Sequence, residues 1–239
     1  MIKKRILKLL TKNRINLYHK NNSVINKIKK NTKNNKIHNF GKKNKNKIFY
    51  IINREGIGGL FSNLLFVLDH LIICEKKNYI PVVDWKNFPT VYSEKKEDSW
   101  SYYFKPVSKY TLNEVYKSQN VIFSINNPEI LTRNLFDISR NHFRIFRKYI
   151  KIKPYLNLEV KNFLKKNNFK KEKWIGLHWR SSDMKTAPNH PFPPTQKQII
   201  KFLNKYSKNK KIFAVVDEKK NLDYLKEKYY KRIIEFPCF

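Results

Sequence analysis

Between residues 173 and 236 short apolar runs alternate with longer, polar-faced segments: KWIGLHW, PPTQKQIIKFLNKY, KKIFAVVDE, KNLDYLKEKY and RIIEF. No other feature of the chain narrows its fold as far. Short β-rich runs bounded by charge read as strands, and the segments between them carry apolar residues at helical spacing. A strand, a crossover helix and a second strand of one sheet run parallel, with right-handed connections. The pattern predicts βαβαβ, half of a doubly wound sheet. Proline is expected at the start of the first of these helices, where its missing N–H costs nothing.

A similar unit opens the ordered part of the chain. KIFYII, residues 47–52, reads as a strand and is followed by NREGIGG. The next segment repeats apolar residues at Phe61, Leu64, Leu65, Leu68, Leu71 and Ile72, a helical spacing. YIPVVDW at 79–85 is a second strand, parallel to the first. The stretch SWSYYFKPVS at 99–108 is aromatic and irregular, and NVIFSI at 120–125 is another strand. PEILTRNLFDISRNHFRIFRKYIKI reads as helix in two pieces. YLNLEVKNFLKKNN at 155–168 reads as an amphipathic helix with a lysine-rich outer face, bridging to a second domain. The expected organisation is α/β: a basic Lys/Asn-rich tail over 1–46, a Rossmann-like domain over 47–165, and part of a second one over 166–239. A single mixed α/β domain is the alternative.

The chain of 239 residues is long enough for a sizeable core, with 41% hydrophobic and 15% aromatic residues. Its formal net charge is +34. Such a charge suits an anionic partner: nucleic acid, an acidic membrane or a phosphorylated ligand. The excess lies in Lys beside abundant Asn, Ile, Tyr and Phe, residues that share A- and T-rich codons. Base composition alone is enough to produce that drift, which leaves the charge as weak evidence for any specific partner. Residues 20–46 read as a mobile tail. The first turns, MIKKRILKLLTK, read as solvated; the competing reading is a basic amphipathic helix at the inner face of an anionic membrane. Two cysteines, Cys74 in a predicted buried helix and Cys238 near the end, make neither a disulfide framework nor a metal site. No apolar run approaches the roughly 20 residues of a membrane span. ILKLL is too short for a signal-peptide core. A cytoplasmic chain is expected.

Ligands of open α/β sheets bind at the carboxyl ends of the strands. His178, Arg180 and Asp183 follow the first strand of the second domain; Asp217 and Glu218 follow its second strand. A guanidinium, an imidazole and three carboxylates thus face one crevice. Arg suits a phosphate because its planar fork donates two parallel hydrogen bonds. The plain alternative is a surface loop with a solvated Arg180–Asp183 salt bridge. Gly56, Gly58 and Gly59 between strand and helix permit positive φ and close approach of backbone to a ligand. Their spacing is not the dinucleotide fingerprint, and a tight turn explains them equally well. His190, in the proline loop NHPFPP, titrates near neutrality if unperturbed; a loop that only redirects the chain is the alternative. No Asp-x-Asp pair exists to hold a metal against a sugar diphosphate, and no P-loop signature is present.

At GLHWRSSD the chain resembles the H-x-R-R-x-D region of the GDP-fucose-dependent fucosyltransferases: the core α1,6-fucosyltransferases, the rhizobial nodulation enzymes and, more distantly, the protein O-fucosyltransferases. IFAVVDEKKNLDYLKEKY is similar to their second motif. REGIGGLFSNLLFVLDHLIICEKKNYIPVVDW is similar to their glycine-led first βα unit. The resemblance spans roughly residues 48–236 and rests on the order of the motifs. It implies a GT-B fold with GDP-fucose as donor substrate, a glycan acceptor, inversion at the anomeric carbon, and neither metal nor other cofactor. By resemblance Arg180 grips the donor β-phosphate and His178 lies near the guanosine. Asp183 holds Arg180 and its loop. Asp217 and Glu218 support the nucleotide pocket.

Two departures stand out. The second arginine of the motif is Ser181 here, and no Asp or Glu lies between Asp183 and Asp217 to serve as the family's base. His190 is the nearby substitute. The family's third motif would lie beyond Phe239, so a truncated or inactive member is a further reading. A basic nucleic-acid-binding protein is the alternative from another class, disfavoured because much of the charge falls in the tail and on helix exteriors. SWSYYFKPVS is the candidate acceptor surface, its aromatics read either as a core plug or as platforms for sugar faces.

Overall fold

The computed structural model describes residues 37–54, 59–93, 98–124, 140–182, 184 and 191–236. These form two compact units whose boundary falls between Pro154 and Tyr155. Both are parallel α/β.

In the first unit β1 (Phe49–Ile52) is followed by α1 (Leu60–Lys77) and β2 (Ile80–Val83). Two short helices, α2 (Ser99–Tyr103) and α3 (Leu112–Val115), lead to β3 (Val121–Phe123) and then α4 (Arg140–Tyr149). The strand order is β2-β1-β3, and β1 pairs parallel with both neighbours. The central strand therefore needs apolar residues on both faces, and all four residues of FYII are buried. Tyr50 and Ile52 pack with Leu64, Val67, Leu68 and Leu71 of α1. Phe49 and Ile51 pack on the other face with Val82, Phe88, Val115 and Phe123. Pro81 sits in β2, an edge strand, where a missing N–H leaves no ladder bond unmade.

Several expectations shift. Phe61 lies outside the buried face of α1 and is 79% exposed. The segment at 99–108 is partly helical: the Asp98 carboxylate caps α2 by accepting from the Trp100 N–H. Trp100 and Phe104 join the core, with Trp100 edge-on to Trp85, so those two aromatics are a core plug; Tyr102 stays exposed. Of the helix expected after residue 128, α4 is described and residues 128–139 lie outside the described residues.

Part of the segment expected as tail over 1–46 pairs instead with the first sheet. Residues 1–36 lie outside the described residues, but 37–46 run beside β3. His38 and Val121 exchange both backbone hydrogen bonds, at 2.7 and 3.0 Å, and Lys43 accepts from the Gln119 N–H at 3.0 Å. Gly41 permits this approach, since a Cβ there would meet the Lys117 carbonyl oxygen at 2.5 Å.

Tyr155 begins the second unit within α5 (Pro154–Lys166), and β4 (Trp174–Trp179), α6 (Gln196–Tyr206), β5 (Lys211–Val216), α7 (Lys219–Tyr229) and β6 (Ile233–Ile234) follow. The order is β4-β5-β6, all parallel, with Trp174 opposite Lys211 and Trp179 opposite Val216. α6 does not begin on proline. Thr195 caps it in a reciprocal box with Gln198, and Pro193 and Pro194 precede the cap. Leu177, Trp179, Ile212 and Ala214 pack against Ile199 and Leu203 of α6 and Leu225 and Tyr229 of α7. α5 fully buries none of its residues, though Leu156, Phe163 and Leu164 are half-buried and its lysines are exposed.

His70 is fully buried in α1, its Nδ1 2.9 Å from the Tyr50 hydroxyl and its Nε2 without a hydrogen-bond partner. Burial, with the nearby Arg54 charge, pushes its pKa from 6.5 down to about 3. The unfolded chain takes up a proton below about 6.5 that the folded chain refuses until about 3, so stability is lost as pH falls through this window. Urea melts of the parent and His70→Phe should show the parent's advantage shrinking by up to ~1.4 kcal/mol per pH unit between pH 6.5 and 4. Gly41→Ala should raise amide exchange at Val121 and Gln119 selectively, by forcing residues 37–46 off β3.

Candidate functional site

The carboxyl ends of β4 and β5 lie side by side because the strands pair parallel and in register. Trp179, the last residue of β4, is buried, and its indole Nε1–H donates to the Pro194 carbonyl at 3.2 Å. The chain then turns. Ser181 is 3% exposed and is held, with Ser182, by the first residue beyond β5. The Asp217 carboxylate accepts from the Ser181 N–H at 2.9 and 3.0 Å and from its hydroxyl at 3.0 Å. It also accepts from the Ser182 N–H at 2.9 Å and hydroxyl at 2.8 Å. Asn221, in the first turn of α7, donates to the Ser181 hydroxyl at 3.0 Å and to Glu218 at 3.2 Å. Gln196 at the start of α6 donates to Asn221 at 3.2 Å.

Burial opposes ionisation of Asp217, but hydrogen bonds from Ser182 and Ser181 outweigh it and hold the carboxyl down to about 2. The result is a fixed anion clamping the turn after β4. Arg180 lies between buried Trp179 and clamped Ser181, and is itself exposed. His178 is exposed on the strand face opposite Leu177 and Trp179.

The structure thus brings Arg180, Asp217 and Glu218 to one sheet end, with His178 two residues before Arg180. Asp217 is engaged with the serine turn. Glu218 is bonded to Asn221 and lies 3.4 Å from the Lys220 ammonium. Asp183, His190, Gly56 and Gly58 lie outside the described residues. Gly59 has φ −58°, so positive φ is not its reason; an added Cβ would make ordinary contact with the Tyr92 hydroxyl at 3.9 Å. Among the described residues no group of three or more His, Cys, Asp and Glu could hold a metal ion. Nor is any helix of the described residues long and apolar enough to cross a membrane.

Sequence reasoning missed Ser181, Ser182 and Asn221 as the groups that shape the turn. Ser181 had stood only as a lost arginine. Also missed were Asn53, Arg54 and Ser124 at the sheet end of the first unit, where the glycines alone had been singled out. The strand order reverses at β1, and such a switch point opens a crevice at the carboxyl ends. There the Asn53 N–H donates to the Ser124 hydroxyl at 2.8 Å, and that hydroxyl donates to the Asn53 carbonyl at 2.7 Å. Arg54 follows, donating to the Ser62 carbonyl at 2.7 Å and stacking over Phe66. Burial lowers its pKa, and Asp69 partly offsets this.

No protein-family model and no curated protein matches the chain. Solved structures do. NodZ α-1,6-fucosyltransferase soaked with GDP-fucose is 15% identical with a TM-score of 0.54, the match covering 81% of this chain and 79% of that one. The fucosyltransferase NodZ from Bradyrhizobium gives 16%, 0.54, and 80% and 79%. NodZ co-crystallised with GDP gives 14%, 0.53, and 80% and 79%. At this identity the likeness is one of fold: a parallel α/β fold of the fucosyltransferase type.

Asp217→Asn should cost about 1–3 kcal/mol, because an amide offers one acceptor oxygen to donors that now share two. The folded carboxyl stays ionised down to about pH 2, whereas its ordinary value is 3.8. The difference between parent and variant in urea melts should therefore hold from pH 7 to 5 and shrink as pH falls below about 4.

Proposed function

We propose that this chain is a glycosyltransferase of GT-B architecture that transfers fucose from GDP-fucose to a glycan hydroxyl, with inversion and without metal. One observation carries the reading. A fold likeness to fucosyltransferases over about four fifths of both chains coincides with an exposed arginine at the β4 end, on a turn clamped by Asp217.

The proposed chemistry is a single displacement. The acceptor oxygen attacks the anomeric carbon from the face opposite the diphosphate. The bond from that carbon to the β-phosphate oxygen breaks, and its electron pair stays on the leaving GDP. Arg180 donates N–H groups to that phosphate as charge grows on it, an interaction stronger in the transition state than before it. Asp217 acts as a positioning residue: by pinning Ser181 and Ser182 it fixes where Arg180 leaves the strand. Glu218 borders the same pocket, with His178 toward the guanosine. Asp183 steadies Arg180, and His190 takes the proton of the acceptor hydroxyl. Tyr102 is the exposed aromatic of the stretch offered as acceptor surface.

Titration with GDP-fucose tests this. A saturable site that survives high salt supports the proposal; binding to RNA with a steep salt slope and no GDP-fucose site would assign the chain to nucleic acid instead. Arg180→Ala should weaken donor binding on the order of 2–4 kcal/mol, as for other truncated charge pairs. Arg180→Lys should recover only part, since an ammonium cannot grip two oxygens at once. GDP-fucose binding without turnover would mark an inactive member.

A further inference from the structure

The sheet of the second unit is covered unequally. Parallel sheets are ordinarily buried on both faces. One face of β4 and β5 is covered by α6 and α7. On the opposite face, Phe163 of α5 meets Phe213 at 5.6 Å and Phe236 at 4.9 Å between ring centroids. Farther along β5, Val215 is 44% exposed, and at Gly176, which pairs with Phe213, an added Cβ would meet nothing within 4 Å. Leu158 and Val160 on α5 are 58% and 49% exposed. A groove of about 490 Å³ runs beside α5, lined by Val160, Phe163, Trp174, Gly176, Phe213 and Phe236 among others. Lys171 is the sole charged side chain among its described lining residues.

Basic residues crowd the same stretch. Lys161, Lys165, Lys166, Lys170, Lys171 and Lys173 stand against a single carboxylate, Glu172, between residues 161 and 173. We propose that this groove takes an acyl chain of an anionic membrane lipid, with α5 lying in the membrane interface and its lysines meeting the headgroup phosphates. The walls decide the class of occupant. A peptide or a saccharide would bring N–H, C=O or hydroxyl groups into a slot whose described side chains, Lys171 and the Trp174 indole N–H aside, offer no partners, which is costly. An acyl chain brings none. A second copy of this chain would set the same lysines against one another. A helix with exposed Leu and Val and a lysine-rich remainder has the composition of an interfacial helix, and each lysine near an anionic leaflet adds attraction.

The test must separate insertion from simple adhesion of a basic chain. Of the four tryptophans, Trp174 alone lines this groove. Full-length protein is mixed with vesicles of phosphatidylcholine and phosphatidylglycerol whose acyl chains carry bromine, a contact quencher of indole fluorescence. Expected is quenching that disappears in Trp174→Phe while that variant still sediments with the vesicles. Val160→Glu, at an exposed position, and Gly176→Phe, which fills the groove from the sheet side, should each lose the quenching without loss of fold by circular dichroism. Sedimentation without quenching would overturn the proposal, leaving ionic adhesion only. So would quenching that persists unchanged in Val160→Glu. A concentration-dependent dimer or an acidic protein partner abolished by Val160→Glu, with no quenching in the parent, would likewise overturn it.

Discussion

The candidate site hangs on one carboxylate. Asp217 stands just past the end of β5 and receives two backbone N–H groups and two hydroxyls from Ser181 and Ser182, just past the end of β4. Parallel pairing in register brings the two strand ends together, and the carboxylate converts that proximity into a defined turn. Such a cluster of charge-assisted bonds outweighs the cost of partly burying the anion. Arg180 inherits its position from this arrangement: one neighbour is anchored in the core, the other in the clasp.

The two sheets obey the same rule to different degrees. β1 is central and apolar on both faces, so its unit closes around it with one cluster on each side. In the second unit α6 and α7 complete one face, while the other keeps exposed apolar residues beside a helix that buries none of its own. The asymmetry leaves one small unit with two surfaces of different chemistry: a polar sheet end carrying Arg180, Asp217 and Glu218, and a face with exposed apolar residues.

The functional reading joins fold to chemistry, and the two carry different weight. The likeness to fucosyltransferase structures concerns the path of the backbone. A fold hosts many chemistries, so activity must be argued from the site. At the β4 end a guanidinium stands beside a clamped turn, and its planar fork of donors suits a diphosphate far better than a neutral ligand.

The sequence by itself determined the order of strands and helices from residue 174 onward, because the alternation of short β-rich runs with helically spaced segments leaves parallel crossovers as the way to bury them. It also marked Arg180 and Asp217 as strand-end residues, since each directly follows an apolar run. It could not show that Asp217 would spend its oxygens on Ser181 and Ser182. That pairing joins residues some 35 positions apart and exists only once β4 and β5 are in register. For the same reason 37–46 looked like the rest of a lysine-rich tail. Its backbone bonds to the edge of β3 are paid in N–H and C=O groups, which every residue carries and no composition reveals. Gly59 looked like a positive-φ glycine because it follows two others, yet the start of α1 needs only φ −58° there. Local periodicity wrote the elements; contacts between residues distant in the chain decided which surfaces were left open and where the charges were held.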